Sequence, residues 1–119
     1  PKERLAFKGN TYLVQGGYTF SAATMLISAL KGQDNMTIVG EESGGGYYGN
    51  SALHIPNITL PNTKLRVRLP LYRMVIDQNR PKGTGIIPDI KIPPSSYAIR
   101  MGFDSKMAAI QALLKSKNN

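Results

Sequence analysis

One serine in this chain lies at a position where its hydroxyl can do chemistry. Ser21 follows a glycine pair, and that pair follows a short run of β-forming residues, Thr11–Gln15. The residues from Ala22 to Leu30 have the apolar spacing of a helix. A serine between a strand and a helix either caps the helix with its hydroxyl or acts as a nucleophile beside the free N–H groups of the helix start. The spacing alone leaves both interpretations open.

The elements around Ser21 predict a strand–helix–strand unit. Gly32 is expected to end the helix, and Met36–Val39 reads as a second buried strand. So short a connection predicts parallel strands, whose carboxyl ends meet at one edge of the sheet. The serine turn and the loop Gly40–Gly46 are therefore expected to lie together there, where sites form in such sheets. The helix is expected to bury one apolar stripe: Ala22, Met25, Leu26, Ala29 and Leu30.

Four segments, in order, resemble the motifs of one enzyme family. Gly16–Ala23 is similar to its nucleophile segment, with a Thr-x-Ser-Ala core. Thr37–Gly46 resembles its strand followed by Gly-Glu-x-Thr-x-Gly, with Ser43 in place of threonine. Residues 60–67 resemble its substrate-side hairpin, and 85–90 its Gly-Ile-x-Pro-Asp motif. Over most of residues 10–92 the chain thus resembles the tail-specific, or C-terminal processing, serine peptidases.

The resemblance implies a fold and a set of site residues. The expected fold is α/β: a partial crotonase-like (ClpP/crotonase-type) βαβ core with a β-hairpin excursion and a C-terminal helix. Ser21 is the implied nucleophile, and the backbone N–H of Ala22 is one implied oxyanion donor. The implied wall of the substrate cleft consists of Gly44, Gly45, Gly46 and Tyr47. Peptides or unfolded proteins are the implied substrates, without a cofactor or metal, and a cell-envelope, periplasmic or exported location is expected.

The general base is harder to assign. Gly46 occupies the position of the lysine in the family's Ser-Lys branch, so the chain is more similar to the tricorn-like branch, which uses an upstream histidine. Lys82 stands where that branch has an acid. Lys31 would lie about 15 Å from Ser21 along the helix. His54, the one histidine, falls in an expected strand and is interpreted as structural. The base and the second oxyanion donor are therefore expected in an upstream part of the same parent chain, and residues 1–119 alone are expected to be inactive.

The remaining residues predict extended segments and a last helix. Within one fragment of a peptidase catalytic domain (1–119), residues 1–50 hold the nucleophile, 51–92 are extended and 103–117 form a helix. Residues 65–69 alternate with period two, which predicts a half-buried strand. Asp104 is the expected N-cap of the last helix. Its expected buried stripe is Met107, Ile110, Leu113 and Leu114. The positive charges of Lys115 and Lys117 are favourable at the C-terminal end of a helix.

Composition limits the function classes. The chain of 119 residues has no cysteine, which excludes a thiol nucleophile and a disulfide framework. Its net charge of +8 makes a nucleic-acid partner worth considering, but the basic residues are scattered and no aromatic platform accompanies them. No apolar run reaches the roughly 20 residues that span a bilayer. Peptide hydrolysis is the favoured function, and a non-catalytic peptide-binding module on the same fold is the alternative.

Overall fold

The computed structural model describes residues 7–116. They contain one three-stranded parallel sheet and two separate two-stranded antiparallel sheets. The elements follow in the order β1 (Thr11–Gln15), α1 (Ser21–Leu30), β2 (Met36–Gly40), β3 (Gly49–Asn50), β4 (Asn57–Thr59), β5 (Arg66–Arg68), β6 (Met74–Val75), β7 (Ile90–Lys91), α2 (Ser96–Arg100) and α3 (Ser105–Ser116).

The central sheet confirms the predicted strand–helix–strand unit. Its order is β1–β2–β7, and both pairs are parallel. The register of the first pair runs from Thr11 opposite Met36 to Gln15 opposite Gly40. Gly32 has a φ of 91°, as expected of a glycine that ends a helix. The chain is therefore an α/β protein, as predicted, with the ends of β1 and β2 at the same edge of the sheet.

Helix α1 turns a different face to the core than the sequence predicted. Thr24, Ile27 and Ser28 are its buried residues, while Leu26 is 57% exposed. Ala22 and Ala29 are exposed as well, so the predicted stripe is wrong. The physical reason is close packing: Ile27 joins the core, and the small side chain of Thr24 lies directly against Gly45. A leucine in that place would not fit against the glycine loop.

The core is small and lies on one face of the parallel sheet. Ile27, Ile38, Tyr47 and Ile86 are buried together. Leu13 of β1 packs against this cluster. We call residues 11–50 and 84–92 the head, because they supply the central sheet and the core.

Residues 51–73, which we call the arm, contain the predicted hairpin. β4 and β5 are antiparallel, with Ile58 opposite Val67. All residues from 57 to 73 are exposed, so the predicted half-burial of residues 65–69 is wrong. No described element packs over the arm to bury its apolar side chains. His54 lies outside any strand, with a φ of 52°, so its predicted strand is also wrong.

The C-terminal part agrees with the sequence only in outline. Asp104 caps α3, accepting hydrogen bonds from the N–H groups of Lys106 and Met107 at 3.0 Å. Ile110 is buried, but Met107 and Leu114 are 45% and 47% exposed, so half of the predicted stripe is wrong. The helix contacts β2 along too short a stretch to bury a continuous stripe. The prediction for Lys117 lies outside the described residues.

Candidate active site

Ser21 has an unusual backbone conformation at the start of α1. Its φ is 51°, in the left-handed region that serine rarely adopts. The N-cap position belongs to Phe20, and no side chain caps the helix there. The Ser21 side chain is exposed, and its hydroxyl makes no hydrogen bond with any described residue. The helix-cap interpretation is therefore wrong, and the geometry is that of a strained turn presenting a free hydroxyl.

The turn before Ser21 is held from both sides. Thr19 closes it: its N–H donates to the Gly16 carbonyl at 2.9 Å, and its Oγ1 accepts from the Gly16 N–H at 3.1 Å. The Thr19 carbonyl in turn accepts from the Gly45 N–H at 2.9 Å and from Thr24 Oγ1 at 3.2 Å. The sheet thus brings the serine turn and the glycine loop together, as the strand order predicted.

One backbone donor stands next to the hydroxyl. The N–H of Ala22 has no hydrogen-bond acceptor among the described residues, whereas the next N–H, of Ala23, donates to the Phe20 carbonyl. An N–H group one residue after a nucleophile is a usual member of an oxyanion hole. The Ala22 N–H is therefore free to donate to an oxyanion. Its role as an oxyanion donor stays a prediction.

The glycine loop touches the turn so closely that side chains are excluded. A Cβ on Gly44 would collide with the Gly17 carbonyl oxygen and with the ring of Phe20. A Cβ on Gly46 would lie 2.7 Å from the Gly49 carbonyl oxygen, so a lysine at this position requires a shift of the backbone. The backbone of the loop, as it stands, therefore does not accommodate a lysine base at position 46. A role for the three glycines in binding substrate stays a prediction.

Tyr47 does not lie on an exposed wall. Its side chain is 7% exposed and belongs to the core, and the Arg80 guanidinium lies 4.5 Å from the centre of its ring. Tyr47 therefore offers little surface to a substrate in this structure, and its role in the substrate cleft stays a prediction. Tyr48 is the more exposed of the two tyrosines, and the Lys82 ammonium lies 5.0 Å from its ring centre.

Two buried polar residues that sequence reasoning missed hold the loop after β2. Gln15 Nε2 donates to the carbonyls of Glu41 and Ile86 at 2.7 and 2.6 Å. Ser43 Oγ accepts from the Ile86 N–H at 2.7 Å and donates to the Gly45 carbonyl at 2.9 Å. For Gln15, the available signal in the sequence was a polar residue at the end of a buried strand. These bonds satisfy loop backbone groups that no sheet partner reaches.

The residues weighed as bases are engaged elsewhere or lie apart. Lys31 Nζ pairs with Asp89 Oδ1 at 2.6 Å at the far end of α1. His54 lies in the arm, with its ring centre 6.2 Å from that of Tyr72. Neither makes a hydrogen bond to Ser21. No group of three or more metal-ligating side chains occurs among residues 7–116.

Asp89 contacts the backbone of β2 as well as Lys31. Its Oδ2 accepts the Ile38 N–H and its own N–H donates to the Ile38 carbonyl, both at 2.8 Å. Partial burial raises the pKa of the Asp89 carboxyl, but hydrogen bonds from Lys31 and Ile38 and the lysine charge lower that pKa below its ordinary value. The aspartate of the Gly-Ile-x-Pro-Asp motif thus fastens the start of β7 to β2 and α1.

The sequence comparison adds a family to this geometry. A family model described as peptidase family S41 matches residues 1–92. The chain belongs to peptidase family S41. The resemblance to C-terminal processing peptidases is thereby confirmed, while the tricorn-like branch stays a prediction. A search of curated proteins found no match for the chain.

The family S41 match ends before α2 and α3, yet these helices complete a cavity beside the serine turn. The cavity measures about 800 Å³ and lies at the end of β1. Residues 16–19 of the turn form one side. Its apolar lining consists of Val14, Ile92, Pro93, Pro94, Ile99 and Phe103. Sequence reasoning missed this cavity, because residues 90–96 showed no periodicity that would place them against β1.

One ion pair closes an end of the cavity. Lys106 of α3 pairs with Glu41, the first residue after β2. Both side chains are about three-quarters buried, and the ammonium lies beside Gly16. The pair therefore ties the last helix of this S41 chain to the loop that carries the glycines.

Among the described residues, no helix is both long and apolar enough to cross a bilayer.

Proposed function

We propose that Ser21 is the nucleophile of a serine peptidase that hydrolyses extended protein tails. The observation that carries the proposal is the conformation of Ser21: a left-handed φ of 51° and a hydroxyl that makes no hydrogen bond with the described residues. Such a backbone costs on the order of 1–3 kcal/mol and persists at functional sites. His54 and Lys64 of the arm have similar φ values of 52° and 59°, so the position of Ser21 between β1 and α1 and its unbonded hydroxyl support the assignment together with the strain.

The chemistry follows from groups on one side of the turn. Ser21 Oγ attacks the carbonyl carbon of the scissile peptide bond, and its proton passes to a general base. The oxygen of the tetrahedral intermediate is stabilised by the Ala22 N–H and a second donor. The intermediate collapses, the amine leaves with a proton from the base, and water then hydrolyses the ester on Ser21. An extended tail suits this edge because it can pair by its backbone with an exposed strand.

The base and the second donor are assigned to residues outside the described part of the chain. No described residue forms a hydrogen bond with the Ser21 hydroxyl, and a serine without a base is a weak nucleophile. An upstream histidine, as in the tricorn-like branch, is the proposed base. Lys31 is not, because its ammonium is held by Asp89.

Labelling by a fluorophosphonate tests this assignment in the full-length gene product. The unaltered protein is expected to be labelled at Ser21 and to cleave casein. Ser21→Ala is expected to lose labelling and to lower the cleavage rate on the order of 10⁴-fold or more, because the nucleophile is removed. Lys31→Ala, at the C-cap of the same helix, is the matched control and should keep its rate within a few-fold.

Three results bear on the alternatives. Retention of most of the cleavage rate by Ser21→Ala would refute the nucleophile. Peptide binding without labelling or cleavage in the unaltered protein would favour the non-catalytic binding module. Residues 1–119 alone are expected not to be labelled; stoichiometric labelling of them would place the base within these residues, with His54 as the first residue to mutate.

A further inference from the structure

The cavity beside the serine turn has the size of a binding site for several residues. Its volume of about 800 Å³ lies within the roughly 300–1,000 Å³ of ordinary ligand sites. One side chain does not fill it, whereas a short stretch of extended chain does. The turn residues Gly16–Thr19 form part of its wall and lead directly to Ser21. The cavity wall thus ends at Thr19, two residues before Ser21 in the chain.

The walls favour an apolar occupant. Val14 and Phe103 line the cavity and are 46% and 58% exposed, and Ile99 lines it and is 72% exposed. These side chains leave apolar surface in water that a ligand can cover. Burial of such surface favours a complex, against the costs of association.

The charges at the cavity disfavour an anionic occupant. Lys106, the one cation among the described residues that line it, is already paired with Glu41. Asp104 also lines the cavity, and its carboxylate is fixed by two N–H groups of α3. Two carboxylates against one ammonium leave the lining with a net negative charge, so a phosphate or a terminal carboxylate finds no unpaired cationic side chain there. A neutral segment carries no such penalty.

Two backbone donors complete the lining. The N–H groups of Gly17 and Tyr18 have no acceptor among the described residues, and both residues belong to the cavity wall. Peptide carbonyls are the acceptors that an extended chain would offer them. We propose that this cavity binds an apolar segment of the peptide substrate, alongside residues 16–19 of the serine turn. The proposal rests on the proposed function, and its specificity comes from α2 and α3, outside residues 1–92.

A pair of cysteine variants tests the proposal. Ile99 lines the cavity, whereas Tyr97 of the same short helix is exposed but does not line it. Ile99→Cys and Tyr97→Cys are made in the full-length gene product that carries Ser21→Ala, so that no peptide is cleaved. Maleimide labelling is followed by mass spectrometry of the tryptic peptide 92–100, which contains both positions. The probe is a synthetic peptide with leucines at alternate positions among serines, and its counterpart has aspartates in place of the leucines.

The expected result is selective protection. Both cysteines should react without peptide. The leucine peptide at about ten times its Kd should slow labelling at position 99 about tenfold and leave position 97 unchanged. The aspartate peptide should protect neither.

Three outcomes would overturn the proposal. They are equal protection at both positions, no protection at position 99, and a cysteine at 99 that is unreactive before peptide is added. The last would mean that another part of the protein fills the cavity. Fluorophosphonate labelling of Ser21 in the protein without the alanine change is measured in parallel. Labelling without protection refutes the cavity alone, and protection without labelling refutes the nucleophile alone.

Discussion

The head and the arm are both built from strands with apolar residues, yet only the head buries them. Ile38 and Ile86 in the head are fully buried, whereas Leu65 and Tyr72 in the arm are 63% and 61% exposed. The head has a helix over its sheet, while the arm is a two-stranded ribbon that no described element covers. The Cα radius of gyration is 18.8 Å, against about 13–14 Å for a compact chain of this length. In the arm, strands are thus paired without forming a core.

The arm shows what alternation alone can specify. Backbone hydrogen bonds continue the hairpin beyond β4 and β5, from Leu60 with Leu65 to His54 with Leu71. Ile58 and Val67 are directly opposite each other, and Arg66 lies opposite Thr59 on the other face. Alternation therefore gives the ribbon two different faces, but it specifies the register only weakly, because neither face is buried. It does not supply the second layer that burial requires.

The largest difference in stability should separate core residues of the head from apolar residues of the arm. Ile38→Ala is expected to lower the free energy of unfolding by about 2–5 kcal/mol, because it leaves a cavity in the core. Val67→Ala should change it by about 0.5 kcal/mol or less, because the side chain is already 41% exposed. Urea unfolding of the purified protein measures both.

A milder variant keeps this comparison measurable where Ile38→Ala does not fold. Ile38→Val removes one methylene and should cost about 0.5–1.5 kcal/mol. A loss at Val67 equal to that at Ile38 would contradict the division, and would show that the arm's apolar face is packed in solution.

The sequence predicted the head better than the arm for a physical reason. β1, α1 and β2 are local elements whose type follows from short-range patterns, and the glycine at position 32 marks where the helix ends. The parallel arrangement followed from the short connection. The buried face of α1 did not, because counting apolar residues gave Leu26, whereas the glycine loop requires the small Thr24.

The candidate site was predicted in part for the same reason. Ser21 and Ala22 came from a local motif, and they lie at the start of α1, directly after the expected turn. Gln15 and the pair Lys106–Glu41 join residues 26 to 71 positions apart, and no local pattern reports such contacts. The left-handed φ of Ser21 could not be predicted either, because serine has no strong preference for that region of backbone conformation.

The second prediction concerns close backbone packing, which the head has and the arm lacks. A Cβ on Gly85 would collide with the Ser43 carbonyl oxygen, which is backbone and cannot rotate away. Gly85→Ala should therefore lower the free energy of unfolding by about 1–3 kcal/mol. Gly17→Ala is the matched control, since nothing lies within 4 Å of its Cβ position and its φ is not positive. Equal costs for the two variants, measured by thermal unfolding, would mean that the loop after β2 moves aside easily.

The smallest expected effect concerns Asp89, which joins three elements of the head. Its folded pKa is lower than the ordinary value of 3.8. The ionised carboxylate is thus favoured by folding, and its contribution is present above about pH 4. That contribution is lost as the pH falls from the unfolded pKa through the folded one. Asp89→Asn should cost about 1–2 kcal/mol at pH 7, because one charged hydrogen-bond acceptor is replaced by a neutral one.

The pH dependence distinguishes this role from general packing. The difference in the free energy of unfolding between the unaltered protein and Asp89→Asn should shrink as the pH falls below about 4, because both side chains are then neutral. Asp34→Asn is the control: its side chain is exposed in the turn before β2 and makes no hydrogen bond with the described residues, so its cost should stay within about 0.5 kcal/mol. A cost at Asp89 that is the same at pH 7 and below pH 4 would show that the side chain acts by shape. The link from β7 to β2 and α1 would then not depend on its charge.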